Sequence, residues 1–227
     1  MNRRKLLLGS GVALTTTIAG CSSDTSDDGE NGNGNGTSTG PSADEPDVEE
    51  PDPISVSGSG NQVYSNVGII GGLTVIEAQH TGSRNFIVKL VPETGMENIM
   101  VNQIGAFDGS RAALVGRGTY QMSIEADGDW ELELTQPRPS SGDSLPFEQQ
   151  GTSATVLGPL EFDGTHTIGA AHNGRRNFIV QVLPPQGQFP TIAVNEIGSY
   201  EGTTSFRHSG LGYVAIQADG GWGIRIE

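Results

Sequence analysis

Two stretches decide the fold: His80-Thr81-Gly82-Ser83-Arg84-Asn85-Phe86-Ile87-Val88-Lys89-Leu90 and His172-Asn173-Gly174-Arg175-Arg176-Asn177-Phe178-Ile179-Val180-Gln181-Val182. The second repeats the first at a constant offset, Asn85 matching Asn177 and Phe86 matching Phe178. Self-similarity at a fixed spacing marks a duplicated supersecondary unit. Within each stretch the apolar residues alternate: Phe86, Val88 and Leu90 share one face, and Phe178, Val180 and Val182 share the equivalent one. A period of two with one polar face predicts half-buried antiparallel strands.

Further matches extend the repeat outward. Asn102-Gln103-Ile104-Gly105-Ala106-Phe107 corresponds to Asn195-Glu196-Ile197-Gly198-Ser199-Tyr200, one residue out of step, so one residue has been inserted between the copies. Ala126-Asp127-Gly128-Asp129-Trp130 corresponds to Ala218-Asp219-Gly220-Gly221-Trp222. Asp-Gly between two alternating runs predicts a hairpin, because Gly reaches positive φ without a Cβ clash. Each Trp is then expected to enter the final strand and close the core. About seven short strands are expected in the first copy, at 62–67, 73–79, 84–91, 98–104, 111–115, 119–126 and 130–135. The second copy carries them near 154–157, 160–163, 166–172, 177–183, 191–197, 203–208, 212–218 and 222–227. No window carries a convincing helical period. The fold class is all-β: two tandem antiparallel β-sandwiches of jelly-roll-like form, at 56–137 and 151–227, joined by a polar linker at 138–150.

The N-terminus supplies an address. Arg3 and Arg4 open a basic start, Leu6 to Ala19 is an apolar and small-residue run, and Ile18-Ala19-Gly20-Cys21 closes it. The run is too short to span a bilayer, which takes about 20 apolar residues, but it has the three parts of an export signal. The paired arginines resemble a twin-arginine signal and the closing tetrapeptide resembles a lipobox, with Ile18 in place of the usual leucine. Residues 1–21 thus resemble the leader of haloarchaeal lipoproteins. The resemblance implies lipidation at Cys21 and a place on the cell membrane facing the exterior. Cys21 is the single cysteine, so an intramolecular disulfide and a cysteine-based metal site are excluded. Stable anchoring by Cys21 needs more than one lipid chain. Residues 22–55 hold ten acids, no base and no apolar period, and read as a disordered spacer.

Charge sets further bounds. Asp+Glu total 27 against 12 Lys+Arg, a formal net charge of −15, and the only lysines are Lys5 and Lys89. So acidic a surface argues against nucleic acid and anionic lipid, both of which require a basic footprint. It suits concentrated salt, which screens self-repulsion over about 3 Å at 1 M.

Candidate sites are few. His80, Arg84 and Asn85, repeated as His172, Arg176 and Asn177, could gather an imidazole, a guanidinium and a carboxamide at one turn, as a pocket for a sugar or a carboxylate. The alternative is that His and Asn satisfy turn backbone groups. His166 and His208 have no counterparts and are expected on the surface. Asp108, Asp127, Asp129 and Glu201 could offer oxygens to calcium, but they lack EF-hand spacing and turn chemistry explains them more simply. No metal site and no cofactor is expected. Gly142-Asp143-Ser144-Leu145 spells an esterase signature, yet it stands in the linker with no preceding strand to build an oxyanion hole. The chain reads as a non-enzyme. The pattern His-x-Gly-x-x-Asn-Phe, Asn-x-Ile-Gly, Ala-Asp-Gly-x-Trp resembles small β-sandwich repeats of prokaryotic surface proteins, a resemblance that implies fold and location only. The expected role is interaction or structure at the cell surface, with a surface protein or a glycan as partner. The alternative is a carbohydrate- or solute-binding module.

Overall fold

The computed structural model describes residues 49–187 and 189–227. The expectations for Arg3, Arg4, Cys21 and the acidic spacer up to residue 48 lie outside the described residues. Everything described from residue 49 onward belongs to one compact unit, and it is all-β. The first half carries β1 (Ile54–Ser59), β2 (Gln62–Ile69), β3 (Gly72–His80), β4 (Asn85–Pro92), β5 (Asn98–Ile104), β6 (Phe107–Val115), β7 (Gly118–Glu125) and β8 (Asp129–Thr135). The second carries β9 (Phe147–Gly151), β10 (Thr155–His172), β11 (Asn177–Leu183), β12 (Thr191–Ile197), β13 (Tyr200–Gln217) and β14 (Trp222–Ile226).

In the first lobe the sheets run β1-β8-β3-β6 and β2-β7-β4-β5, with every pairing antiparallel. This is the order of an eight-stranded jelly roll, two Greek keys folded face to face. Alternation builds its core. Ile76, Trp130, Leu132 and Leu134 point inward from one sheet to meet Phe86, Val88, Leu90, Met122 and Ile124 from the other. Each such large side chain contributes roughly 1.5–3 kcal/mol by leaving water.

The second lobe follows the same path with two fewer breaks. The C-terminal half of β10 pairs with both the first half of β13 and β14, while its N-terminal half pairs with the second half of β13, which continues to β11. β10 and β13 therefore run through both layers, and the stretches 154–157, 160–163 and 166–172 form one strand rather than three. Glycine makes the corner possible. Gly164 (φ 143°) and Gly210 (φ 86°) take the bend with the pairing unbroken, as glycine does at barrel and sandwich corners. In the first lobe the equivalent corner is cut by Gly71 and Gly72, both at φ 92°.

Two strands correct the expected boundaries. β1 begins at Ile54, inside the segment expected to be spacer, and β9 begins at Phe147, inside the linker expected at 138–150. β9 pairs with β14 as β1 pairs with β8. Both are outer strands. Glu148, Gln149 and Gln150 of β9 are exposed on a polar strand with little apolar alternation to betray it.

The lobes meet across a small apolar seam of Leu73, Leu183, Tyr213 and Ala215. Leu73 N–H donates to Pro185 O at 3.0 Å, Ser110 N–H to Ala154 O at 3.0 Å, and Val156 N–H to Ser110 Oγ at 2.8 Å. Arg138, just after the first lobe, fastens the connecting segment to that lobe. Its guanidinium donates to the carbonyls of Gly71 and Pro137, and its N–H to a Glu50 carboxylate oxygen.

Candidate functional site

The repeated turns form one device in each lobe. His80 ends β3, and its side chain has 0% exposure. Its ring stacks on Phe86 at 4.6 Å, nearly parallel at 8°. Nδ1 faces Gly105 O at 3.0 Å, and Nε2 lies 3.5 Å from Asp127 Oδ1. Asp127 lies in the β7–β8 turn, which corrects the expected hairpin: β7 and β8 belong to opposite sheets and do not pair, nor do β13 and β14, so each Asp-Gly turn crosses between layers. Asp127 also accepts from the N–H and hydroxyl of Ser83 and from the N–H of Arg84. The second lobe repeats this nearly atom for atom. His172 stacks on Phe178 at 4.7 Å and 10°, Nδ1 faces Gly198 O at 2.8 Å, and Nε2 lies 3.4 Å from Asp219 Oδ1. Asp219 accepts from the N–H groups of Arg175 and Arg176.

The glycines of both motifs are required by close approach. A Cβ on Gly82 would sit 2.1 Å from Asp127 Oδ1 and 2.4 Å from His80 Nε2; on Gly174 the same distances arise to Asp219 and His172. A Cβ on Gly128 would meet Gly82 N at 2.6 Å. The His-x-Gly turn and the Asp-Gly turn are thus two halves of one latch joining the β3–β4 crossing to the β7–β8 crossing. The N–H of Arg84 holds the Asp127 carboxyl below the usual carboxylate range, helped by Ser83. At Asp219, partial desolvation pulls upward, and the N–H groups of Arg176 and Arg175 outweigh it, leaving the carboxyl lowered.

This geometry separates the candidate residues. His80 and His172 are enclosed by their own lobes, while Arg84, Asn85, Arg176 and Asn177 stay exposed. The imidazoles do not share an open pocket with those side chains. Hydrogen bonds inside the turns use the polar ends, as when Gly105 N–H donates to Arg84 O at 2.7 Å and Gly198 N–H to Arg176 O at 2.8 Å. Of the acids weighed for calcium, Asp127 is occupied by backbone N–H groups, and Asp108, Asp129 and Glu201 are exposed. Among the described residues no cluster of three or more His, Cys, Asp or Glu is arranged to hold a metal. Ser144 is exposed, and its neighbour Asp143 bridges to Leu160 at the start of the second lobe.

His166 corrects the expectation of a surface residue: it is 5% exposed, edge-on to Phe162 at 5.2 Å. Its Nε2 accepts from Asp163 N–H at 3.1 Å. His208 is half-buried and also edge-on to Phe162 at 5.2 Å, and burial lowers its pKa against a smaller opposing effect from Leu211 O. The two rings fill the β10–β13 corner that the first lobe lacks. No repeat signal marked them, since neither has a counterpart.

An open groove of about 1010 Å³ crosses the outer face of the second lobe, floored by Gly169, Gly202 and Gly223 and walled by Gln149, Thr203 and Arg225. Register makes Gly169 and Gly223 the counterparts of Glu77 and Glu131 in the first lobe. Glycine at those positions leaves the groove floor without the two glutamate side chains that the first lobe carries there.

No protein-family model and no curated protein matches this chain. Among solved structures the chain is similar to the PBSX exported protein XepA, at 8% identity over 77% of this chain and 85% of that one, with a TM-score of 0.27.

Proposed function

We infer that this chain is a lipid-anchored lipoprotein, exported in folded form by a twin-arginine signal and held by Cys21 on the outer face of the cell membrane. There it serves a non-catalytic interaction role in concentrated salt. One observation carries the interaction reading. β5 and β12 are the outer strands of their sheets, and each bears two exposed isoleucines at matched positions. Ile99 and Ile104 are 52% and 63% exposed, and Ile192 and Ile197 are 58% and 78% exposed. An outer strand offers unpaired N–H and C=O groups, and an extended segment of a partner protein can add to it as a further strand, with apolar side chains setting register. On so acidic a chain, apolar residues doubled at the same edge fit contact with another surface protein.

Two substitutions test this in the full chain. Cys21→Ser is expected to release the protein from cells into the medium. Ile104→Lys with Ile197→Lys is expected to abolish the neighbours captured by cross-linking on intact cells, with anchoring retained. A mature N-terminus carrying an unmodified Cys21, or an unchanged set of neighbours in the double variant, refutes the reading. A carbohydrate- or solute-binding role is the second reading, favoured by the groove over Gly169, Gly202 and Gly223.

A further inference from the structure

Arg111 stands opposite Ile76 in the β3–β6 pairing, on the side of β6 that also carries Phe107, Ala113 and Val115. Those neighbours belong to the first lobe's core. Inward parity therefore aims an arginine between the sheets. β6 is an outer strand of its sheet and faces the second lobe, and the side chain leaves the core on that side, with its guanidinium carbon 6.0 Å from the Phe107 ring centroid. It emerges into a cleft of about 340 Å³ between the lobes, shared with Asn102 from the first lobe and Gln181 and Gln217 from the second.

The charge there is uncompensated. Among the described residues no carboxylate lines the cleft, although acids outnumber bases more than twofold in the chain. Lys89 pairs with Glu97 at 2.8 Å and Arg225 with Glu227 at 2.7 Å; Arg111 has no such pair among the described residues and is the more withdrawn from water. Burial pulls the Arg111 guanidinium below its ordinary pKa, with no carboxylate opposing the shift. Withdrawing a cation from water without a counter-charge is unfavourable, and the second lobe avoids it by placing Thr204 at the equivalent position opposite Ile168. The cleft is within the size range of small-ligand sites. A planar guanidinium matches a carboxylate through two parallel hydrogen bonds. Three carboxamides around it supply both donors and acceptors, the complement of hydroxyl groups.

We propose that the cleft between the lobes binds a small hydroxylated carboxylate of the uronic-acid class, with Arg111 gripping the carboxylate and Asn102, Gln181 and Gln217 meeting its hydroxyls. The cleft shares Ile99 and Asn102 of β5 with the edge described above, but Arg111 lies on β6, so loss of glucuronate binding on its substitution is read independently of the protein contacts tested at Ile104 and Ile197.

Calorimetric titration of the full chain with glucuronate, at constant potassium chloride, tests it. Glucuronate is expected to bind at one site per chain, and glucose, which has the hydroxyls without the carboxylate, to give no heat. Arg111→Gln is expected to weaken glucuronate binding about tenfold or more, and Arg111→Lys to weaken it while keeping the melting temperature. In the wild-type protein the Arg111 side-chain Nε–H resonance is expected to shift on titration, a readout that does not rely on the variants folding. Absent glucuronate binding, equal binding by glucose, binding only of inorganic phosphate, undiminished binding by a folded Arg111→Gln protein, or an unmoved Arg111 resonance would each overturn the assignment.

Discussion

Gly151→Ala tests how each terminal Trp closes its lobe. In β9, Gly151 pairs directly with Trp222 of β14, and the indole lies across the glycine. A Cβ there would stand 2.5 Å from Trp222 Cζ2 and 2.9 Å from Cε2, where ordinary contacts begin at 3.4 Å. The indole cannot swing aside freely, because Nε1 donates to Ser153 O at 2.8 Å and the residue is only 5% exposed. Relief therefore requires β9 to lift from β14 or the indole to lose its hydrogen bond. Overpacking of this kind costs about 1–3 kcal/mol, and for a chain of this size each kcal/mol lowers Tm by about 2–4 °C. Trp222→Phe removes the clashing six-membered ring edge and the Nε1 donor together. Its own cost includes about 0.5–1.5 kcal/mol for the hydrogen bond and the packing lost with the larger ring. The test is the double-mutant cycle, read by urea unfolding in high salt. Gly151→Ala is expected to be damaging with Trp222 in place and nearly neutral in the Trp222→Phe background, a coupling of about 1 kcal/mol or more between touching residues. Additive costs, or a Gly151→Ala protein as stable as wild type, would refute the account of an aromatic packed over an edge-strand glycine.

Two further outcomes follow from the titrating groups. The carboxyls of Asp127 and Asp219 are lowered in the folded state by turn N–H groups, against an unfolded value near 3.9. Their stabilisation is therefore complete above about pH 4 and disappears as pH falls through the lower folded value. Asp127→Asn with Asp219→Asn is expected to flatten the acid limb of the urea midpoint against pH; an unchanged limb would contradict the latch. Tyr213, in the seam between the lobes, has its phenol pushed up to about 12 by burial and by the Glu50 carboxylate, with Arg138 opposing. Phenolate absorbance is expected to lose its latest component in Tyr213→Phe and to shift it to lower pH in Glu50→Gln.

Much of the architecture is legible in the chain because the repeat prints its inward face twice. Phe86 with Phe178, Trp130 with Trp222, and the alternation around them disclose antiparallel sandwiches without any structure. The edge strands β1 and β9 escape notice for a physical reason: an outer strand needs little apolar side chain on either face, so Glu148-Gln149-Gln150 looks like linker. Glycine misleads in the opposite sense. Gly164 and Gly210 read as strand breaks, yet in the β10–β13 pair they let two strands turn a corner without losing their hydrogen bonds.

By itself, the sequence determined a duplicated all-β chain, two Asp-Gly turns each leading into a strand that opens on Trp, and an acidic composition, because these depend on local periodicity, turn chemistry and summed charge; that each turn crosses between sheets rather than closing a hairpin was decided by the tertiary structure. Tertiary structure alone decided that His80 and His172 are enclosed against Asp127 and Asp219, which stand far from them along the chain, that β9 completes the second lobe, and that Arg111 faces a cleft between the lobes. Each of those depends on which segments approach across the sheets, and a linear pattern carries no record of distances between strands that are remote in sequence.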